Sequence, residues 1–172
     1  MDAKPKLTRE QAGEVLGEAL CAEIDHWITI FPDGKQRSAS ISALRSVQEA
    51  NGGWLKLDHL DAVAAWLGIP EIQIYEVASF YSMLETEPVG RHSVSVCTNV
   101  SCMLCGGEEI LAYIEKKLDI AAGESTPDKR IHLVLEEECL AACKDAPMMQ
   151  VDHVYYTNLT SERVDEILDG LE

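Results

Sequence analysis

No stretch of this chain reaches the roughly 18 consecutive apolar residues that a membrane span requires, so none of it is expected to cross a bilayer. Nor does a G-x-G-x-x-G follow a strand, and there is no phosphate-cradling loop, so neither NADH nor a flavin has an evident home here. Basic residues are scarce. Fourteen Lys and Arg stand against thirty Asp and Glu, and a formal charge of −16 repels a phosphate backbone, which argues against nucleic acid as a partner. That charge is read mainly as a solvated surface, with a share left to complement a basic partner. Met1 to Gly13 mixes acids and bases without an apolar stretch, so neither a secretory signal nor an Arg-rich transit peptide is evident, and a reducing, bacterial cytoplasm is expected. The histidines, His26, His59, His92, His132 and His153, are scattered, with none at metal-ligand spacing to another.

What the chain does contain is cysteine in close pairs. Four residues separate Cys97 from Cys102, and three separate Cys139 from Cys143. In a reducing compartment such pairs point to metal ligands or catalytic thiols before structural bridges. With 172 residues and 47% hydrophobic content the chain fills a core without disulfides.

The pattern changes midway. Thr8 and Gln11 form a capping box, and Leu16, Leu20, Ile24 and Trp27 recur at helical spacing, which predicts one amphipathic helix over 8–30. A second helix carries Ile41, Leu44 and Val47 and stops at Asn51-Gly52-Gly53. Asp58 is placed to cap a third, with Leu60, Val63, Ala64 and Leu67 inward and Gly68 and Pro70 closing it, and a fourth is predicted over 72–84. From Pro88 and Gly90 the period becomes two: Val94 and Val96 make a strand that runs straight into Cys97. Beyond the loop of Cys102 and Cys105, a helix with Ile110, Leu111, Ile114 and Leu118 leads to a strand through Ile131, Leu133 and Leu135, which also ends in a cysteine loop. A hairpin over 148–156 turning near Asp152 and His153, and a helix capped by Thr160 with Val164, Ile167, Leu168 and Leu171 inward, complete the chain. The expectation is an α/β protein: an N-terminal helical bundle, residues 1–88, followed by a thioredoxin-like domain, residues 89–172, whose strand ends bring both cysteine loops to one edge.

Three chemistries compete for the sulfurs. A tetrathiolate zinc module accepts two short-spaced pairs, although zinc pairs most often have two intervening residues. Cys102 and Cys105 form a C-x-x-C before a helix, the arrangement of a dithiol oxidoreductase, but that use leaves Cys97, Cys139 and Cys143 idle. An iron–sulfur cluster uses four of the five, each iron of a [2Fe–2S] core taking two protein sulfurs. A Rieske centre is excluded because neither cysteine loop holds a histidine. Spacing leaves two ligand sets open, since Cys97, Cys102 and Cys105 also reproduce the plant-type ferredoxin pattern. Cys21 reads as a packing residue, Trp27, Trp54 and Trp66 as core or interface anchors, and Glu136-Glu137-Glu138 as a solvated turn whose acids would lower a neighbouring cluster's potential.

Longer motifs add a resemblance. Val77-Ala78-Ser79-Phe80-Tyr81-Ser82-Met83, Pro88-Val89-Gly90-Arg91-His92, Cys97-Thr98-Asn99-Val100-Ser101-Cys102-Met103-Leu104 and Glu138-Cys139-Leu140-Ala141-Ala142-Cys143 with Ala146-Pro147-Met148-Met149 resemble one family. It is the thioredoxin-like [2Fe–2S] component of respiratory complex I, the E subunit of bacterial NADH–quinone oxidoreductase. Val47-Gln48-Glu49-Ala50-Asn51-Gly52-Gly53-Trp54 and Leu67-Gly68-Ile69-Pro70 extend the likeness over nearly the whole chain. The resemblance implies one [2Fe–2S] cluster on Cys97, Cys102, Cys139 and Cys143, with Cys105 a free thiol near the site. It also implies electron exchange with a partner subunit that binds FMN and NADH, in the peripheral arm of a complex at the cytoplasmic face of the bacterial inner membrane. NAD-linked hydrogenases and formate dehydrogenases use similar subunits and are the alternative parents. The chain departs from the family at Ala141-Ala142, where glycine is usual, and at Lys144-Asp145 after the last cysteine.

Overall fold

The computed structural model describes residues 6–135 and 139–172; the acidic run over 136–138 and the first five residues lie outside them. Two compact units divide the chain, Met1–Pro88 and Val89–Glu172.

The first unit is helical: α1 (Arg9–Leu16), α2 (Glu18–Thr29), α3 (Ser40–Ala50, entered through a 3₁₀ turn at Gln36–Ala39), α4 (Leu57–Leu67) and α5 (Glu71–Phe80). Their apolar stripes meet in one core containing Leu16, Ile24, Leu44, Val47, Leu60, Val63, Leu67 and Ile74, all buried. Trp27 and Trp66 pack half-buried against it and satisfy their indole N–H groups on Ser46 Oγ (3.2 Å) and Asp25 Oδ1 (3.0 Å).

Three sequence expectations are corrected in this unit. The single helix over 8–30 is two, because Gly17 takes φ 79°, ψ 161°, outside the helical region, between α1 and α2. The break leaves Leu16 and Ile24 in the same core, so the apolar period alone did not reveal it. Asp58 does not cap α4: Lys56 holds the cap position in extended backbone, its N–H reaching His59 Nδ1 at 3.4 Å, and Asp58 lies in the first turn, where its charge favours the helix dipole. The helix expected over 72–84 ends at Phe80. Gln48, far off in sequence, donates to Met83 O at 3.0 Å and accepts from the Glu85 N–H at 2.7 Å, holding that segment in a turn.

The second unit is α/β, built on a four-stranded mixed sheet in the order β2-β1-β3-β4. Strand β1 (His92–Val96) runs parallel to β2 (Ile131–Val134) with Val94 opposite Leu133, and antiparallel to β3 (Met149–Val151) with Val96 opposite Met149. Asp152 and His153, both at positive φ, form the tight turn from β3 to β4 (Val154–Tyr156). Two helices lie between β1 and β2, the short α6 (Val100–Leu104) and α7 (Gly107–Leu118), and α8 (Ser161–Asp169) follows the hairpin with the Thr160 hydroxyl accepting from Arg163 N–H at 3.3 Å. Val94, Val96, Ile114, Ile131, Leu133, Met149, Val151, Val164 and Leu168 share one buried core.

Candidate metal centre

Sheet order decides where the cysteines go. Because β1 and β2 are parallel neighbours, the chain leaves both at the same sheet edge, carrying Cys97 directly from β1 and, past the end of β2, the loop of Cys139 and Cys143. Antiparallel β3 starts at that edge, just after the cis Ala146–Pro147 bond. Three segments therefore converge at one place.

Each cysteine has its own support. The Cys97 N–H donates to Met148 O at 3.1 Å, prolonging the β1–β3 ladder by one residue, so its position is set by the sheet. Cys102 is carried not by a loop, as its spacing suggested, but by α6, whose first turn Asn99 caps by accepting from the Val100 N–H at 2.9 Å. Cys97 and Cys102 are buried with Met148, and Leu140, Ala142 and Ala146 pack against the three. Cys139 and Cys143 face solvent, their sulfurs 3.4 Å apart, and none of the six cysteines is bridged.

The four cysteines influence one another: Cys102 bonds with Cys97 and feels the charge of Cys143, and Cys139 bonds with Cys143 and with Cys97. Burial pushes the Cys102 thiol up to about 11, the hydrogen bond with Cys97 adds to the rise, and a backbone hydrogen bond from Met148 opposes it. Cys139 is held below its ordinary value, first by the Ala141 N–H 3.4 Å from its sulfur and then by its bonds with Cys143 and Cys97. Cys143 is raised by its hydrogen bond with Cys139, against a lowering bond from the Ser101 hydroxyl. The exposed pair thus gives up its first proton more readily than its second. Among the described residues no group of three or more His, Cys, Asp or Glu side chains is spaced to hold a single ion; the close contacts are pairwise.

Cys105 stands apart. It follows the last turn of α6, exposed, with its N–H on Cys102 O at 3.0 Å, while Cys102 itself is buried and bonds with Cys97. Dithiol exchange needs an accessible attacking thiolate at the head of the motif, and here the leading cysteine is the buried one.

Two further residues support the site. A Cβ at Gly107 would stand 2.8 Å from Cys97 O and 2.9 Å from Cys102 C and O, so only glycine lets α7 start this close to the buried pair. The Gly106-Gly107 doublet was its signal. Ala141 occupies the left-handed region at φ 63°, a conformation uncommon for a residue with a side chain; the unusual alanine between two cysteines was the hint.

Comparison with known proteins gives the following. The family model for thioredoxin-like [2Fe-2S] ferredoxin matches residues 24–172. The E subunit of NADH-quinone oxidoreductase from Rickettsia conorii is 39% identical over 142 residues, 83% of this chain and 84% of that protein. The E 2 subunit of the same enzyme from Rhizobium meliloti is 43% identical over 148 residues, 86% of each. NADH dehydrogenase [ubiquinone] flavoprotein 2, mitochondrial, of Dictyostelium discoideum is 40% identical over 150 residues, 87% of this chain and 60% of that protein. Among solved structures, an NAD+-reducing [NiFe]-hydrogenase in the air-oxidised state superposes with a TM-score of 0.63 at 19% identity, covering 74% of this chain and 22% of that one, a likeness of fold alone.

Proposed function

Because the chain belongs to the thioredoxin-like [2Fe–2S] ferredoxin family, we propose that it is the electron-transferring E subunit of an NADH–quinone oxidoreductase, holding one [2Fe–2S] cluster on Cys97, Cys102, Cys139 and Cys143. The observation that carries this reading is the convergence, at one sheet edge, of a buried cysteine pair and an exposed pair whose sulfurs lie 3.4 Å apart.

The donor set fits the group. Two irons need two thiolates each, and the chain offers two pairs with no histidine in either loop to make the site mixed. Cys97 and Cys102, fixed by the β-ladder and by α6, would hold the cluster from the rigid side, and Cys139 and Cys143 from the solvent side. Loaded, the site supplies a one-electron carrier. The protein's part is to fix the thiolates, donate backbone N–H groups from Met148 and Ala141 toward sulfur, and exclude water from the inner pair. With no dinucleotide or flavin motif of its own, the chain takes its electrons from a partner subunit that binds FMN and NADH, within the peripheral arm of the complex at the cytoplasmic face of the inner membrane. No helix among the described residues is long and apolar enough to cross a membrane. The hydrogenase neighbour keeps a diaphorase role as the second reading, but it shares the fold at 19% identity, whereas the E subunits of NADH-quinone oxidoreductase reach 39% and 43% over most of the chain.

Purified full-length chain, reconstituted with iron and sulfide, should be brown, carry about two irons and two sulfides per chain, and give a paramagnetic signal on one-electron reduction. A colourless protein holding one zinc refutes the reading.

A further inference from the structure

We propose that Ala141 is a positioning residue that sets the cluster's reduction potential by aiming its backbone N–H at Cys139 from the left-handed conformation; this rests on the proposed cluster site.

The geometry is local and specific. Ala141 lies midway between the two exposed cysteines, at φ 63°, with its nitrogen 3.4 Å from Cys139 Sγ. In a Cys-x-x-x-Cys loop whose ends must bring two sulfurs within 3.4 Å of each other, the chain has to reverse, and the middle residue absorbs the reversal. Its N–H then points back at the first sulfur. Glycine adopts this conformation freely; an alanine does so only where the surroundings hold it, and Ala142 on its C-terminal side packs against buried Cys97, Cys102 and Met148. The inner pair has a matching donor, the Met148 backbone, on Cys102.

The chemistry follows from charge. Reduction adds one electron and no proton, supplied by a chemical reductant in the assay or by the partner flavin in the complex, and the added negative charge spreads over the sulfurs. An N–H already aimed at Cys139 stabilises the reduced form more than the oxidised one and raises the potential. A hydrogen bond of ordinary strength changes the ratio of reduced to oxidised protein by roughly twofold to tenfold.

The test uses the full chain with its cluster reconstituted. Ala141→Gly keeps the N–H and favours the left-handed turn, so it should load iron fully and titrate within twofold of wild type. Ala141→Val, whose branched side chain resists that turn, should load iron but show a ratio of reduced to oxidised protein roughly twofold to tenfold lower at the wild-type midpoint. Pulsed paramagnetic resonance on reduced protein labelled with ¹⁵N-alanine gives a readout independent of the valine variant. The strongest alanine coupling should vanish in Ala141→Gly and return when glycine carries the label. Persistence of that alanine coupling in Ala141→Gly, loss of iron from Ala141→Gly, or identical potentials in a loaded Ala141→Val and wild type overturns the inference. A wild-type chain that takes up no iron removes the proposed function along with it, so the two failures are told apart by iron analysis alone.

Discussion

Replacing Gly107 by alanine tests the packing around the inner cysteines most directly. The new Cβ meets backbone, not a flexible side-chain tip: Cys97 O at 2.8 Å and the Cys102 carbonyl carbon and oxygen at 2.9 Å. Ordinary contact needs about 3.4 Å or more, so α7 or the two cysteine backbones must shift by roughly half an ångström. Cys97 is tied to β3 through Met148 and Cys102 is fixed in α6, so the strain falls on the geometry that sets the sulfur positions. Overpacking of this kind costs about 1–3 kcal/mol, offset by up to about 1 kcal/mol from alanine's better helix propensity. The net, up to about 2 kcal/mol with the offset in full, lowers the unfolding midpoint by up to roughly 16 °C at about 4–8 °C per kcal/mol for a unit of this size. Calorimetry and iron analysis of full-length protein read both effects, and the variant should melt early and hold well under the wild-type iron. Gly106→Ala is the control. Its φ of 91° makes alanine unfavourable by about 1–2 kcal/mol, but its Cβ meets only Glu109 Oε2 at 3.7 Å, so stability should fall while iron stays. A Gly107→Ala protein with full iron and the wild-type midpoint would refute the steric reasoning, and equal iron loss in both variants would refute its assignment to the Cβ.

Cys139→Ser should lose or badly weaken the cluster, whereas Cys105→Ser, at an exposed position outside the proposed ligand set, should keep the wild-type iron content and spectrum; the reverse pattern would establish the plant-type ligand set in its place. His92, far from the cysteines at the start of β1, contacts Asp152 Oδ2 at 2.6 Å and Glu172 O at 2.8 Å, and the Asp152 bond, against partial burial, holds its pKa above the ordinary value. A histidine raised on folding stabilises fully below its unfolded pKa, near 6.5, and loses that contribution as pH rises through the folded value. The stability gap between wild type and His92→Gln should therefore be larger at about pH 5.5 than at about pH 8.5, by less than about 1 kcal/mol for a partly exposed pair, and denaturant unfolding showing a pH-independent gap would contradict the assignment.

Much of the second unit was legible because its signals are local. Alternation at Val94 and Val96 gave β1, the Asp152-His153 turn is where the hairpin reverses, and Thr160 caps α8. What the sequence did not disclose depends on partners remote in the chain or on backbone geometry without a periodic trace. Gln48 ends α5 from thirty-odd residues away, Gly17 breaks a helix whose apolar stripe continues across it, and Lys56 takes the cap position expected of Asp58. The candidate site shows the same division. Cysteine spacing named the candidates and left two sets of four open; the parallel pairing of β1 with β2 carries the loop of Cys139 and Cys143 to the sheet end where Cys97 stands, which supports the set of Cys97, Cys102, Cys139 and Cys143. Ala141 was already marked in the sequence as an alanine where glycine is usual, but its left-handed backbone, and the close approach that requires Gly107, became recognisable only once the backbone around the sulfurs was in place.

The unequal burial of the two pairs has a physical use in the proposed role. An electron carrier on a chain of formal charge −16 must accept one more negative charge, and sealing all four thiolates from water would make that costly. A fully exposed site would avoid the cost but leave its sulfurs free to move, and one-electron exchange is slowed by atoms that rearrange. Here the inner pair, on a β-ladder and a capped helical turn, supplies rigidity, while Cys139 and Cys143 at the surface let solvent, the Ala141 N–H and an approaching partner compensate the added charge. The edge where two parallel strands end and an antiparallel one begins provides both conditions at once, since it joins the sheet's fixed backbone to a loop that faces outward.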